Sequence, residues 1–267
     1  MKQLLFCVIA LFLMPSVKAQ QGWEIGLLGG ATGYFGDLNT QVNITHPGAA
    51  GTAVARYNFN NRISLRGTLM YGGIKGDDKW SKNTFENRRN LSFRSNIFEG
   101  ALVGEFNFLP LTHGSYDENF SPYLLGGLCV FSYNPQAKYN GQWVDLRPLG
   151  TEGQFLNTEY NTSSLGFVFG TGLKMDLNEK WSLNVELAGR KVRTDYLDDV
   201  SGNYADIRDV RRLHGEIAAA LSDRSVEPKI GAAGRQRGNG KNNDAFVTLS
   251  VGIVYYFGAL KCPDFYR

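Results

Sequence analysis

Eight segments of about 10 to 14 residues alternate apolar and polar side chains with a period of two, and they recur along nearly the whole chain. They cover roughly 23–35, 49–59, 62–74, 91–109, 122–133, 163–177, 181–193 and 245–257. In the third, Ile63, Leu65, Leu69 and Tyr71 share a face opposite Ser64, Arg66 and Thr68. The fourth sets Phe98, Leu102, Phe106 and Phe108 against Glu99, Glu105 and Asn107. The sixth alternates Leu165, Phe167, Phe169, Leu173 and Met175 with Gly166, Gly170, Gly172 and Lys174. The eighth gathers Val247, Leu249, Val251, Ile253, Tyr255 and Phe257. The fifth has no clear facing. Such segments fit either a soluble sandwich, apolar face inward, or a membrane barrel, apolar face outward.

Two features favour the barrel. The polar faces carry glycine together with charges of both signs, as a narrow interior requires, because buried ions need partners. Glu99, Glu105, Arg66 and Arg190 are therefore expected to form a salt-bridged plug rather than line a channel. Connection lengths also alternate. The links after the second, fourth and sixth segments are short or moderate (60–61, about 110–121, 178–180), and the others are long (about 36–48, 75–90, 134–162, 194–244). Short periplasmic turns and long outer loops mark an outer-membrane barrel, and a sandwich has no reason to sort its loops this way. Closure also removes the open edges that lipid forbids. The expected fold is all-β: an eight-stranded antiparallel transmembrane β-barrel with long extracellular loops, one containing a short helix. Trp181, Tyr255, Tyr256 and Phe257 are expected in an aromatic girdle.

Composition agrees. The mean hydropathy of −0.25 argues against a bundle of spanning helices. Aromatics at 13% and 32 Gly exclude a disordered chain, and there is no collagen triplet repeat. At the N-terminus Lys2, the apolar run Leu4 to Met14, Pro15 and Val17-Lys18-Ala19 read as a signal peptide, residues 1–19, cleaved after Ala19. The apolar run is too short to span a membrane. Residues 20–267 are then the barrel with a short periplasmic tail. Losing Lys2 and Lys18 lowers the formal charge from +3 to +1, which leaves no electrostatic case for nucleic acid. The partner expected from the pattern itself is outer-membrane lipid.

No metal, cofactor or small-molecule substrate is expected. Cys129 and Cys262 lack metal spacing, and His46, His113 and His214 are isolated. Cys129 should stand about 20 Å above the periplasmic turn, too far to pair with Cys262 in the tail. Asp195, Asp198 and Asp199 lack the spacing of a Ca²⁺ loop and read as a solvated or turn-capping stretch. Residues 207–221 have helical spacing, with Ile207, Val210, Leu213, Ile217 and Leu221 in one stripe. Residues 231–243 read as a Gly-rich, basic, mobile loop, with two readings open: contact of Arg235 and Arg237 with lipopolysaccharide phosphates, or a plain mobile loop.

Three stretches resemble the PorG-type family of Bacteroidetes outer-membrane barrels, a component of the type IX secretion system. They are Gly29-Gly30-Ala31-Thr32-Gly33-Tyr34-Phe35-Gly36-Asp37-Leu38-Asn39, then Arg147-Pro148-Leu149-Gly150-Thr151-Glu152-Gly153-Gln154, and finally Arg193-Thr194-Asp195-Tyr196-Leu197-Asp198-Asp199-Val200-Ser201-Gly202 with Tyr204 and Asp206. The tail Cys262-Pro263-Asp264-Phe265 is similar to the family's ending. The resemblance implies a structural, non-enzymatic protein that contacts a periplasmic ring of PorK and PorN. An adhesin or passive anchor is the alternative. A lipid-modifying barrel enzyme is a further one, but it needs a Ser and a His at the lipid boundary, and none of the three histidines has a Ser at strand spacing.

The periplasmic face is the expected contact surface. The link from Pro110 to Ser121 is long for that side and is expected to expose Leu111, Tyr116 and Phe120 beside Asp117 and Glu118. The tail adds Leu260, Cys262, Phe265 and Tyr266, with Cys262 available to a partner cysteine. The competing reading is that these side chains cap the barrel floor.

Overall fold

A computed structural model describes residues 21–40, 45–155 and 158–260. The strands are β1 (Gly22–Phe35), β2 (Gly48–Asn58), β3 (Ile63–Asp77), β4 (Ser92–Asn107), β5 (Phe120–Tyr139), β6 (Gln142–Asp145), β7 (Ser163–Asp176), β8 (Trp181–Val192) and β9 (Ala245–Tyr256). Eight of them close into an antiparallel barrel. β1 to β5 pair in succession, β5 passes to β7, and β9 returns to β1 with Glu24 opposite Tyr256 and Phe35 opposite Ala245. β6 stands outside the barrel as a flap on the upper end of β5. Asn140 and Gly141 both have positive φ (47° and 85°), which is the two-residue hairpin turn that Asn-Gly favours. That turn carries the fifth barrel strand to Tyr139, beyond the end at 133 expected from alternation.

One hydrogen-bonded row runs Gly22, Asn58, Ser64, Glu105, Leu125, Gly170, Ala188, Thr248 and back to β1 at Thr32, ten residues along. Eight strands with that shear tilt by about 40°, so each residue climbs about 2.5 Å along the axis. The outward apolar positions of β4 run from Phe98 to Phe106, with Asn96 and Arg94 above. Counted to the exposed Phe108 just past the strand end, that run climbs ten residue steps, a band about 25 Å tall, the height of the apolar belt of outer-membrane barrels.

The inversion of burial makes this a membrane barrel. Leu27 is 69% exposed, whereas Arg56 is fully buried. No sandwich core would be arranged so. Trp23, Phe59, Phe108, Phe120, Trp181 and Phe257 ring the lower end as exposed aromatics. Tyr255 joins them, with its ring edge-on to Trp181 (4.9 Å) and Phe257 (4.7 Å). Tyr256 does not. Its position in the alternation points it inward, where it is buried and its hydroxyl donates to the Gln21 carbonyl (2.9 Å). Among the described residues no helix is long and apolar enough to cross a membrane.

Loops sort by side as expected. The described residues of the connections 36–40 with 45–47, 78–91, 140–155 with 158–162, and 193–244 lie at one end, and 59–62, 108–119 and 177–180 at the other. The long loops carry two helices, α1 (Thr84–Arg89) and α2 (Ile207–Ser222). α2 is not one continuous amphipathic stripe. Gly215 breaks it with φ 88°, so Val210 and Leu221 are buried while Ile217 is exposed, and Ala218 and Ala219 take the inner face.

Candidate functional site

The lumen is filled by ion pairs. Glu105 of β4 sits at the hub: Arg56 Nε is 2.8 Å away, Arg66 Nη1 2.9 Å and Lys174 Nζ 2.6 Å. Arg56 also pairs with Glu24, and Arg66 with Glu186 at 2.5 Å. The Tyr123 hydroxyl donates to Glu186 (2.7 Å). Higher up, Arg190 pairs with Glu99 at 3.2 Å and donates to the Thr248 hydroxyl. Four cations thus face four glutamates, and all eight are buried. The expected salt-bridged plug is present, and each of its members is supplied by the polar face of a strand. Above it Ile97, Phe131, Val168 and Phe246 add an apolar layer.

Below, the link at 108–119 folds up into the barrel. His113 Nε2 lies 3.1 Å from Glu24 and Nδ1 3.0 Å from Asp176, and the ring stacks on Tyr256 (4.2 Å). Burial alone would push the His113 pKa down. Hydrogen bonds and charge from Asp176 and Glu24 outweigh burial and raise it to about 9. The link is therefore partly a floor.

Leu111, expected at the surface, is only 7% exposed, because its backbone N–H is tied to the Asn61 carbonyl (3.0 Å) beneath the barrel. Phe120 is the first residue of β5 and points outward into the aromatic ring. Tyr116 alone stands free of the floor, 93% exposed. It tips a small loop closed where Thr112 N–H donates to the Glu118 carbonyl (2.8 Å). A crevice of about 320 Å³ beside it is lined by Ser115, Asn119, Asp176, Asn178 and Glu179. Leu260 is half-buried, and a side chain added at Gly114 would touch it. Cys262, Phe265 and Tyr266 lie outside the described residues, as do the leader and any Cys262 pairing. Cys129 is a free thiol, buried on the inner face of β5.

The extracellular end is a packed cap. Arg89, at the end of α1, is gripped by Asp78 (2.8 and 2.7 Å) and donates to the carbonyls of Arg237 (2.6 Å) and Asp37 (2.7 Å). One guanidinium thereby joins three loops. Arg237 donates to Glu152 (3.0 Å) and to the carbonyls of Asp199 (2.6 Å) and Ser222 (3.3 Å). Glu152 also accepts from the Ser201 and Gly202 N–H groups (3.0 and 3.1 Å). Asp199 accepts from Thr151 (2.5 Å) and Tyr160 (2.7 Å). The Tyr34 hydroxyl contacts Asp198 (2.6 Å) and Asp244 (2.9 Å).

Two expectations are corrected here. The aspartates 195, 198 and 199 are not solvated but buried under the loops that cross the barrel mouth, and the turn-capping alternative holds for Asp198, whose Oδ1 accepts the Val200 N–H (2.9 Å). The basic segment at 231–243 is not a free mobile loop: Arg237 is 2% exposed, locked by a carboxylate and two carbonyls, and turned away from any lipid phosphate, while Arg235 remains exposed. Nothing in local sequence separates Arg237 from Arg235, since only the packing of distant loops chooses between them.

Burial raises the carboxyl pKa values of this cap. Asp37 rises to about 6 and Asp199 to about 6 against opposing contacts from Asn239 N–H and Arg237 respectively, and Asp195 rises to about 7. Asp198 and Asp244 rise further, through burial first and then through neighbouring carboxylates, Asp244 and Asp37 acting on Asp198, and Asp195 and Asp37 on Asp244. No group of three or more His, Cys, Asp or Glu among the described residues has metal-holding geometry. The three sequence stretches that resemble the PorG-type family meet in this cap, through Tyr34–Asp198, Thr151–Asp199 and Glu152–Gly202.

Among solved structures the chain is similar to Neisserial surface protein A at 11% identity, covering 88% of this chain and 97% of that one, with a TM-score of 0.44. It is similar to Ail of Yersinia pestis, in complex with the heparin analogue sucrose octasulfate, at 11% identity, 89% and 98% coverage and a TM-score of 0.40. OprG from Pseudomonas aeruginosa matches at 11% identity, 90% and 97% coverage and a TM-score of 0.40. All three are small outer-membrane proteins, but it is the strand register above that defines the barrel. No curated protein sequence matches the chain. One family model does, the domain of unknown function DUF6089, over residues 2–217, so the chain belongs to the DUF6089 family.

Proposed function

We propose that this barrel is a structural outer-membrane component of the type IX protein secretion system, which anchors or organises the periplasmic PorK/PorN ring, and that it is not an enzyme. The observation that carries the reading is the filled lumen. Four buried cations paired with four buried glutamates leave no room for a channel in an eight-stranded barrel, so the working surfaces are the two ends. The resemblance of the three cap stretches to PorG-type barrels supplies the system. The exposed Tyr116, with Asp117 and Glu118 beside it, supplies an aromatic anchor with flanking charge on the periplasmic side.

The test is affinity purification of the tagged protein from outer membranes. PorK and PorN should co-purify, and Tyr116→Ala with Asp117→Lys should reduce their recovery while heat-modifiable mobility confirms normal insertion. Absence of ring proteins from the wild-type sample would overturn the reading. An adhesin or passive anchor is the second reading, and the four-loop cap, cross-linked by buried hydrogen bonds, favours it. Cell-surface binding that is lost on cap substitution, with no ring protein recovered, would support that reading instead.

A further inference from the structure

The Tyr34 hydroxyl has one hydrogen to give. It lies within hydrogen-bond distance of two carboxyl oxygens, Asp198 Oδ2 at 2.6 Å and Asp244 Oδ1 at 2.9 Å, and all three groups are buried. Only one of those oxygens can receive the tyrosine hydrogen. The other contact must be a bond donated by a protonated carboxyl, or else two oxygens repel at close range. The far oxygen of each carboxyl is already used as an acceptor: Asp198 Oδ1 takes the Val200 N–H and Asp244 Oδ2 takes the Leu197 N–H, both at 2.9 Å. The extra proton therefore belongs on an oxygen that faces Tyr34.

The surroundings do not replace that proton with a cation. On the β1–β2 loop Asp37 faces the cluster, and on the β8–β9 loop Asp195 and Asp199 do. Tyr133 of β5 approaches with a neutral hydroxyl, 3.0 Å from Thr194, and Phe93 of β4 presents only its ring edge to Tyr34. The nearest cations from α1 and the β8–β9 loop are Arg89 and Arg237; each is ion-paired elsewhere, to Asp78 and to Glu152 with Asp199, so Arg89 acts on Asp198, and both act on Asp37, by charge without an ion pair. Arg190, below, is held by Glu99. Among the described residues, Asp37, Asp195, Asp198 and Asp244 form no ion pair with Lys or Arg. One carboxylate oxygen, Asp195 Oδ2, is buried without any hydrogen-bond partner.

We infer that a proton shared across Asp198, Tyr34 and Asp244 latches the extracellular cap to the barrel rim, so that the cap is held in acid and loosened as pH rises. The latch joins parts far apart in the chain: Tyr34 belongs to β1, whereas Asp198 and Asp244 bracket most of the β8–β9 loop. Releasing it passes the carboxyl proton to water and leaves two carboxylates around a single hydroxyl. The sign follows from linkage. A carboxyl whose folded pKa is raised contributes stability that is complete below the unfolded value of about 4 and is lost as pH climbs through the folded value. The raised Asp195 and Asp37 add to the same trend through about pH 6 to 7.

Hydrogen exchange on the full barrel in phospholipid vesicles, corrected for intrinsic rates, tests the latch between about pH 4 and 9. The Leu197 and Val200 amides, which donate to the two carboxyls, should lose about tenfold or more in protection between about pH 4 and 7, while the β3 and β4 amides do not change over that interval. In Asp198→Asn an amide N–H₂ supplies a permanent donor to Tyr34, so protection should stay high and keep only the smaller pH dependence that Asp195 and Asp37 contribute. Asp244→Asn is the second variant and should behave alike. Tyr34→Phe should lower protection at every pH. Heat-modifiable mobility confirms that each variant is inserted. Flat protection across the range in the wild type would overturn the latch. So would an Asp198→Asn and an Asp244→Asn variant that both keep the wild-type pH dependence.

Discussion

Replacing Glu105 with Gln removes the anion on which three cations converge. Arg56, Arg66 and Lys174 all lie within 2.9 Å of its carboxylate, and it is fully shielded from water. At an effective dielectric of about 20, a unit pair near 4 Å is worth about 4 kcal/mol. Three such attractions oppose the cost of burying the carboxylate, several kcal/mol. Removing one partner of a buried network costs about 3–5 kcal/mol, because the remaining charges stay buried without compensation. Glu105→Gln is isosteric, so the loss should be electrostatic rather than a cavity.

The assay is urea unfolding of the barrel in vesicles, followed by heat-modifiable gel mobility and tryptophan fluorescence. The expected loss is about 3–5 kcal/mol. A companion variant, Glu105→Gln with Lys174→Met, restores equal numbers of buried cations and anions. It should recover part of the loss, a coupling within about 0.5–3 kcal/mol. A Glu105→Gln variant within about 1 kcal/mol of wild type, or a double variant no better than the single, would refute the charge-balance argument.

Three other outcomes are expected. Arg237→Ala should leave Glu152 with only the Ser201 and Gly202 N–H groups and take the guanidinium from the Asp199 and Ser222 carbonyls, so protease added outside cells should cut within 193–244 at a rate well above wild type while the barrel stays folded. Leu102→Arg, at mid-height on the outer face of β4, should destabilise the barrel in vesicles by about 2–4 kcal/mol, whereas an Arg at the exposed Tyr116 should cost little. His113, with its pKa raised to about 9, contributes stability that is complete below about pH 6.5 and is lost as pH rises toward 9. Urea midpoints should therefore fall across that window in wild type and much less in His113→Asn.

The barrel was legible in the chain because a strand buries or exposes a side chain by position alone. Ile63, Leu65, Leu69 and Tyr71 face lipid, and Arg66 faces the lumen, simply because the period is two. Loop parity then distinguished the two ends. The same rule, applied strictly, also puts Tyr256 inside.

The two ends were hidden for a different reason. Whether Leu111 is floor or surface, whether Asp198 is solvated or buried, and which of Arg235 and Arg237 is locked all depend on contacts between loops that are far apart in sequence. Glu152 meets Arg237 across 85 residues, and Tyr34 meets Asp198 across 164. Periodicity carries no information about such meetings, because irregular backbone has no repeating direction in which to aim a side chain. The amino-acid order by itself determined the closed wall and the lining of its lumen. Only tertiary packing decided that the mouth is sealed by two buried arginines and a tyrosine shared between two carboxyls, since burying those groups is tolerable only once every loop has arrived to supply their partners.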